Sequence, residues 1–337
     1  MAPDSDDTRL TELQQWLAIC LPGREFTLAS ASADASFRRY FRLTFTDGQT
    51  LIAMDAPPAH EDCSAFVKIA GLISAAGLNA PRVLHGDLTQ GFLLLSDLGR
   101  QTFLNVLNGD NADALYGVAV DALLRWQSAS RPGVLPAYDE ALLRRELDLF
   151  PQWYLATHRG IAVDAGLHGQ LEPIFKRLID SALAQPCVWV HRDYMPRNLM
   201  VSDPDPGILD FQDAVHGPIT YDLASLLRDA FISWPEERQL DWTIRYWQRA
   251  RALSLPVDED FGEFYRSLEW MGLQRHLKVL GIFARLNYRD GKPNYLRDES
   301  RFLGYVRSVA ARYAGFGDLM RLCDRIESRA PGVAYTF

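Results

Sequence analysis

Little in this sequence points toward an oxidising compartment, a membrane or a nucleic acid. Its four cysteines, Cys20, Cys63, Cys187 and Cys323, lie far apart in apolar strings and form no CxxC pair, so they read as reduced packing residues. No uncharged apolar run approaches the ~20 residues needed to cross a bilayer. The opening MAPDSDDTRL also lacks the basic and apolar regions of a signal peptide. The chain is therefore expected to be cytoplasmic and free of membrane contact. Positive charge is scarce as well: 35 Lys+Arg stand against 43 Asp+Glu, a formal charge of -8, which argues against nucleic acid as a partner. With 48% hydrophobic and 23% charged residues the composition is that of an ordinary globular protein. Its 337 residues exceed what one core usually serves, so two lobes are expected.

The pattern changes character near Gly99, the expected boundary between a lobe of residues 1–99 and a lobe of residues 100–337. Leu10, Leu13, Trp16 and Leu17 form a helical stripe that ends at Pro22-Gly23. From Arg38 to Phe45 the residues alternate, and Asp47-Gly48 turns the chain into Leu51-Ile52-Ala53-Met54. A helix follows on Phe66, Ile69, Ala70 and Ile73, then strands near Arg82–Leu84 and Phe92–Leu95. Beyond Thr102 helical periods dominate, near 111–129, 138–157, 165–184, 220–230, 236–253 and 259–287, interrupted by strands and turns around 187–214.

The string VHRDYMPRNLM within that interruption carries the chemistry. His191-Arg192-Asp193 is followed five positions after the Asp by Asn198, the spacing of protein-kinase catalytic loops. Phosphoryl transfer needs a carboxylate at the acceptor hydroxyl, plus an amide and a second carboxylate to hold Mg²⁺ between ATP phosphates. Asp193 suits the first task, and Asn198 with Asp210 suits the second, Asp210-Phe211-Gln212 standing where kinases have Asp-Phe-Gly. His85-Gly86-Asp87 is a decoy, since Phe92 rather than Asn stands five positions on, and it reads as a turn. Gly291-Lys292-Pro293 is no P-loop, lacking the upstream Gly and the Ser/Thr.

The nucleotide half departs from kinases. The loop Ser30–Phe37 has the position of a phosphate-covering loop, and its small residues Ser32, Ala33 and Ser36 let backbone N–H groups approach an anion, but it has no glycine. Met54 stands where the strand Lys normally meets the phosphates. Arg39, Arg42 and Lys68 are the candidates for the missing charge.

Together these features resemble the aminoglycoside phosphotransferase and choline kinase superfamily. The resemblance implies an α+β class and a bilobal protein-kinase-like fold, with an antiparallel-sheet, nucleotide-binding N-lobe and a mainly helical C-lobe carrying the catalytic loop and acceptor site. ASADASFRRYFRL, MDAPP, HRDYMPRNLM, LDFQDAVHGPITYDLASLLRDA and RHLKVLGIFARL are similar to one branch, the N-acetylmuramate/N-acetylglucosamine 1-kinases of cell-wall recycling. That branch also lacks the loop glycines and the strand Lys. The resemblance implies ATP and Mg²⁺ as cofactors and a small amino sugar as the partner molecule, with a monomer the favoured state. It places adenine against backbone groups of Ser96 and Leu98, with Leu95 and Met54 lining its faces. It has Asp222 hold the catalytic loop through backbone hydrogen bonds. Substrate candidates are Asp193, Arg197, Gln212, Asp213 and His216, with Arg275 or Lys278 for the lactyl carboxylate. Choline, homoserine or an aminoglycoside as acceptor, and a nucleotide-binding module without turnover, are the rival readings.

Overall fold

A computed structural model describes residues 8–32 and 37–328. In chain order the elements begin with α1 (Thr8–Cys20), β1 (Phe26–Ser32), β2 (Arg39–Phe45), β3 (Thr50–Asp55), α2 (Cys63–Ala75), β4 (Val83–Asp87), β5 (Phe92–Ser96) and α3 (Phe103–Val106). There follow α4 (Ala112–Ser128), α5 (Glu140–Leu149), a π-helical turn (Phe150–His158), α6 (Ala165–Leu183), β6 (Cys187–Val190), β7 (Leu199–Met200), β8 (Gly207–Ile208) and β9 (Val215–Pro218). The last helices are α7 (Tyr221–Leu227), α8 (Glu236–Ala252), α9 (Phe261–Tyr288), α10 (Glu299–Arg312) and α11 (Gly317–Ser328).

Two bodies result. One comprises the residues up to Val106 together with Arg197–Asp213, the other Leu107–Pro196 and the residues from Ala214 on. This differs from a single boundary at Gly99, because the β7–β8 hairpin joins the sheet body by backbone hydrogen bonds. Ile208 N–H donates to the Asn79 carbonyl at 2.7 Å, and Val201 N–H to that of Gln101 at 2.8 Å.

The sheet of the first body runs β1-β2-β3-β5-β4, antiparallel throughout. Alternation along the strands sends Leu43, Phe45, Leu51, Ala53, Phe92 and Leu94 to one face, which Leu13, Trp16 and Leu17 of α1 cover. The other face carries Met54, with Tyr40 and Leu93 as its cross-strand neighbours. Asp62 caps α2, accepting from Ser64 N–H at 2.8 Å. His85-Gly86-Asp87 belongs to β4 rather than to a turn. A Cβ on Gly86 would come within 2.9 Å of Leu93, and the turn starts one residue later, with Asp87 accepting from Gln90 N–H at 2.9 Å.

The second body is built on α9. Every residue from Met271 to Gly281 is buried, including Arg275, His276 and Lys278, so the middle of this helix is enclosed on all sides. Helices α5, α6, α7 and α10 and the π-helical turn pack around it. The helix expected over 138–157 is divided, α5 giving way to the π-helical turn that contains Pro151. The region 220–230 is helical only over Tyr221–Leu227.

Gly281 lies where α9 meets the end of α5: a Cβ there would stand 2.5 Å from the Leu149 carbonyl carbon, whereas one on Gly304 of α10 meets nothing within 4 Å. Gly281→Ala is expected to lower stability by about 1–3 kcal/mol through overpacking. Gly304→Ala should raise it by roughly 0.5–1 kcal/mol, by relieving the helix cost of glycine. Thermal melting of the two variants checks the contrast; a Gly281→Ala protein melting at or above wild type would contradict the close approach.

Candidate active site

In the first body the β7–β8 hairpin brings Asn198 and Asp210 together. Leu199 pairs with Ile208 and Met200 with Gly207, so the residues flanking the hairpin meet, Leu209 N–H donating to the Asn198 carbonyl at 2.9 Å. The Asn198 amide lies 3.5 Å from one oxygen of Asp210, and the Gln212 amide donates to the other at 2.9 Å. Asp210 has φ +60°, a left-handed conformation uncommon outside glycine. Phe211, fully buried, packs at a tilt against Phe66 of α2 with ring centres 4.8 Å apart and ties the segment to that helix.

In the second body Asp193 follows β6, which pairs with β9, Trp189 opposite His216. The loop is held by Asp222 in the first turn of α7, whose two oxygens accept from His191 N–H at 2.7 Å and Arg192 N–H at 3.0 Å. Burial pushes the Asp222 carboxyl up to about 7, against the two backbone donors and the Arg275 guanidinium, which favour its charge. Arg192 takes φ +76° and sends its guanidinium to Glu146, 2.5 Å away. Glu146 also meets Lys278 at 2.8 Å, Gln274 at 3.2 Å and the Tyr138 hydroxyl, while Lys278 donates to the Tyr221 hydroxyl at 2.9 Å. On the other side of Asp193, the buried Tyr194 hydroxyl donates to the Ala119 carbonyl at 2.7 Å. Asp193 is half-buried between two anchored neighbours.

The remaining candidates fall unevenly. Ala33, Ser36 and the Ser32 side chain lie outside the described residues. Arg39 is paired with buried Asp55 at 2.6 Å, and Arg42 holds Asp97 at 2.5 Å and the Gly99 carbonyl at 2.6 Å, so both are engaged by the sheet body itself. Lys68 is exposed on α2. Met54 and Leu95 are buried on the same sheet face. Ser96 donates its N–H to the Arg82 carbonyl at 3.0 Å, and its hydroxyl accepts from Arg82 N–H at 2.9 Å. Leu98 packs on β8, where a Cβ on Gly207 would come 2.9 Å from its side chain. Arg197 is half-buried beside Asn198, and Asp213 is exposed. Gln212 is turned to Asp210. His216 has its backbone bound to Pro136 and Tyr138.

Arg275 is a correction. It is 2% exposed and its charge acts on Asp222 and Asp229, so it supports the loop anchor from inside α9 rather than meeting an anionic substrate. Lys278 is likewise committed to Glu146. Glu146 itself went unread: EALLRRELDL is an ordinary amphipathic helix in sequence, and only the fold brings Arg192 and Lys278 to it.

Burial opposes the Glu146 charge, but Lys278 and Arg192 outweigh it and hold its carboxyl down at about 2. A depressed carboxyl contributes stability above its ordinary value of 4.5 and loses it as the pH falls through about 2, because there the unfolded chain binds the extra proton. Glu146→Gln is therefore expected to unfold at lower urea concentration than wild type at pH 7. The difference, on the order of 3 kcal/mol, should shrink progressively below pH ~4.5. A difference that is independent of pH between 7 and 3 would exclude this ionic role.

Comparison with known proteins shows the family of the chain. The chain is 52% identical over 328 residues to a Pseudomonas aeruginosa protein named N-acetylmuramate/N-acetylglucosamine kinase, covering 94% of this chain and 97% of that one. Among solved structures, a choline/ethanolamine kinase family protein from Mesorhizobium loti superposes with a TM-score of 0.61 at 16% identity, over 94% of this chain and 99% of that one. An ADP-bound aminoglycoside phosphotransferase does so with a TM-score of 0.56 at 15% identity, over 87% and 97%. These likenesses show an α+β, bilobal protein-kinase-like fold. The family described as phosphotransferase enzymes matches residues 27–259, a span that includes the sheet, the Asp193 loop, the Asn198–Asp210 hairpin and Asp222: the chain belongs to the phosphotransferase enzyme family.

Proposed function

We propose that this chain transfers the γ-phosphoryl group of ATP to the anomeric C1 hydroxyl of N-acetylmuramate and N-acetylglucosamine, giving sugar 1-phosphates in peptidoglycan recycling in the cytoplasm. The observation that carries the reading is the ordered set Asp193, Asn198 and Asp210, with Asp193 on a loop clamped by Asp222 and with Asn198 and Asp210 facing each other across one hairpin. The name borne by the 52% identical relative supports the acceptor. The sheet body is read as the nucleotide-binding lobe and the helical body as the acceptor lobe. Among the described residues no helix is long and apolar enough to cross a membrane.

The hydroxyl oxygen attacks the γ-phosphorus in line. A new O–P bond forms, the bond to the bridging oxygen breaks, ADP leaves, and the hydroxyl proton passes to Asp193 late in the step. An anomeric hydroxyl is somewhat more acidic than an ordinary alcohol, so a plain carboxylate suffices as acceptor of that proton.

Asn198 and Asp210 fit Mg²⁺. They are neighbours, the Asn198 amide nitrogen 3.5 Å from an Asp210 oxygen, and each side chain has a hard oxygen to offer; no group of three His, Cys, Asp or Glu suited to a metal occurs among the described residues. Mg²⁺ commonly takes one or two protein ligands and completes its shell with phosphates and water. When bound, it neutralises charge on the phosphates.

Asp193→Asn should lower kcat by roughly 10²–10⁴-fold while nucleotide affinity is retained. ATP consumption is measured with N-acetylmuramate, N-acetylglucosamine, choline and kanamycin, and ³¹P NMR identifies the product. A sugar 1-phosphate is the expected result. Turnover with choline or kanamycin alone would discard the acceptor, nucleotide binding without any turnover would favour a binding module, and near-normal turnover in folded Asp193→Asn would remove Asp193 from the chemistry.

A further inference from the structure

Kinases pair a strand Lys with a Glu of the following helix to place the phosphates. Both partners are missing here: the strand position is Met54, and α2, CSAFVKIAGLISA, contains no acid at all. Among nearby cations, Arg39 is committed to Asp55 and Arg42 to Asp97, while Lys68 is exposed on α2.

We infer that Arg38 and Glu61 take over this task, Arg38 supplying the phosphate-directed cation from the start of β2 and Glu61 holding it from the turn before α2. Arg38 is a positioning residue for nucleotide phosphate, and the inference rests on the reading of the chain as an ATP-dependent kinase.

Position is the first support. Tyr40 lies opposite Met54 in the β2–β3 register, and side chains alternate along a strand. Arg38 stands immediately before β2, and the alternation of that strand, carried one residue past its end, sets it toward the Met54 side, which α1 leaves uncovered. In effect the cation comes from the segment that leads into the neighbouring strand. The second support is the pair itself. Arg38 Nε lies 3.4 Å from Glu61 Oε2, and both side chains are largely buried. Glu61 is fixed in turn, its N–H donating to the Pro57 carbonyl at 3.0 Å. Beside this ion pair Phe37 stacks on His60 with ring centres 4.5 Å apart, so consecutive residues of the two segments are joined twice.

The third support is the charge around Arg38. Burial opposes its charge, but Tyr40, Glu61, Asp210 and Asp213 together raise its pKa. Arg38 thus stands within electrostatic reach of Asp210, the proposed metal carboxylate, where a γ- or β-phosphate would lie. A guanidinium suits the position better than an ammonium would. Its planar fork of five N–H donors can hold a carboxylate and a phosphate oxygen at once, and it stays charged when desolvated.

The test compares binding of Mg·ATP with binding of adenosine, which has the base and ribose but no phosphate. Calorimetry with wild type, Arg38→Met and Arg38→Gln provides the readout. Both variants should weaken Mg·ATP by roughly tenfold or more while adenosine affinity stays within about twofold. Arg38→Lys, which keeps the charge and loses the fork, should fall between wild type and the neutral variants. Equal losses for ATP and adenosine would show a merely structural role and overturn the inference, as would unchanged ATP affinity in either neutral variant. The acceptor plays no part in these measurements. A wild-type protein that binds ATP but phosphorylates none of the amino sugars defeats the acceptor assignment alone, whereas a wild-type protein that does not bind Mg·ATP defeats both.

Discussion

One buried carboxylate carries the catalytic loop. Asp222 receives the backbone N–H groups of His191 and Arg192, and without it two donors would be left inside the protein with nothing to bond. Its grip also explains how Arg192 tolerates a left-handed backbone, a conformation that costs on the order of 1–3 kcal/mol in a non-glycine residue. The strain is offset at both ends of the residue, by Asp222 at the amide and Glu146 at the guanidinium. The charges behind the loop balance: Asp193, Asp222 and Glu146 are matched by Arg192, Arg275 and Lys278, which is what permits so many ionisable groups to be enclosed together. Asp193 is thereby positioned through its neighbours in the chain.

The same economy governs the sheet body. In an acidic chain, arginines near the sheet are taken up by specific carboxylates. Arg9 and Arg39 share Asp55, which is fully buried at the end of β3, and Arg42 binds Asp97 and the Gly99 carbonyl. A bidentate hold on a buried carboxylate is not released without leaving that charge unpaired, so these residues make poor ligands for a substrate that comes and goes.

What the sequence made legible follows from how local each feature is. The alternation of β2, the Asp47-Gly48 turn and the stripe of α1 are set by near neighbours, and each appears within a residue or two of its expected place. The Asn198–Asp210 contact was legible too, because a short hairpin with Pro204-Asp205-Pro206-Gly207 at its turn can only bring its flanks together. The helices α10 and α11 carry a local signal of the same kind: Phe302, Leu303, Val306, Val309 and Ala310 recur at helical spacing, as do Leu319, Leu322, Cys323 and Ile326. Other features are not local. Nothing in LQRHLKVLG announces that Arg275 and Lys278 are buried, since a helix with alternating cations reads as amphipathic until its polar face is seen to be enclosed. Glu146 carries no sequence signal of its own for the same reason.

The absence of a Lys at position 54 follows from the same constraint. Met54 is fully buried between Tyr40 and Leu93, with Ile52 and Leu95 near it on the same face and with no acid anywhere in α2. An ammonium there would lose its hydration, at a cost of several kcal/mol unless a carboxylate received it, and α2 offers none. Cations on this face stand where a partner exists: Arg42, opposite Ile52, pairs with Asp97, and Arg38, just before β2, pairs with Glu61. The thioether of Met54 then fills an apolar wall, a task for which its flexible, polarisable side chain is suited.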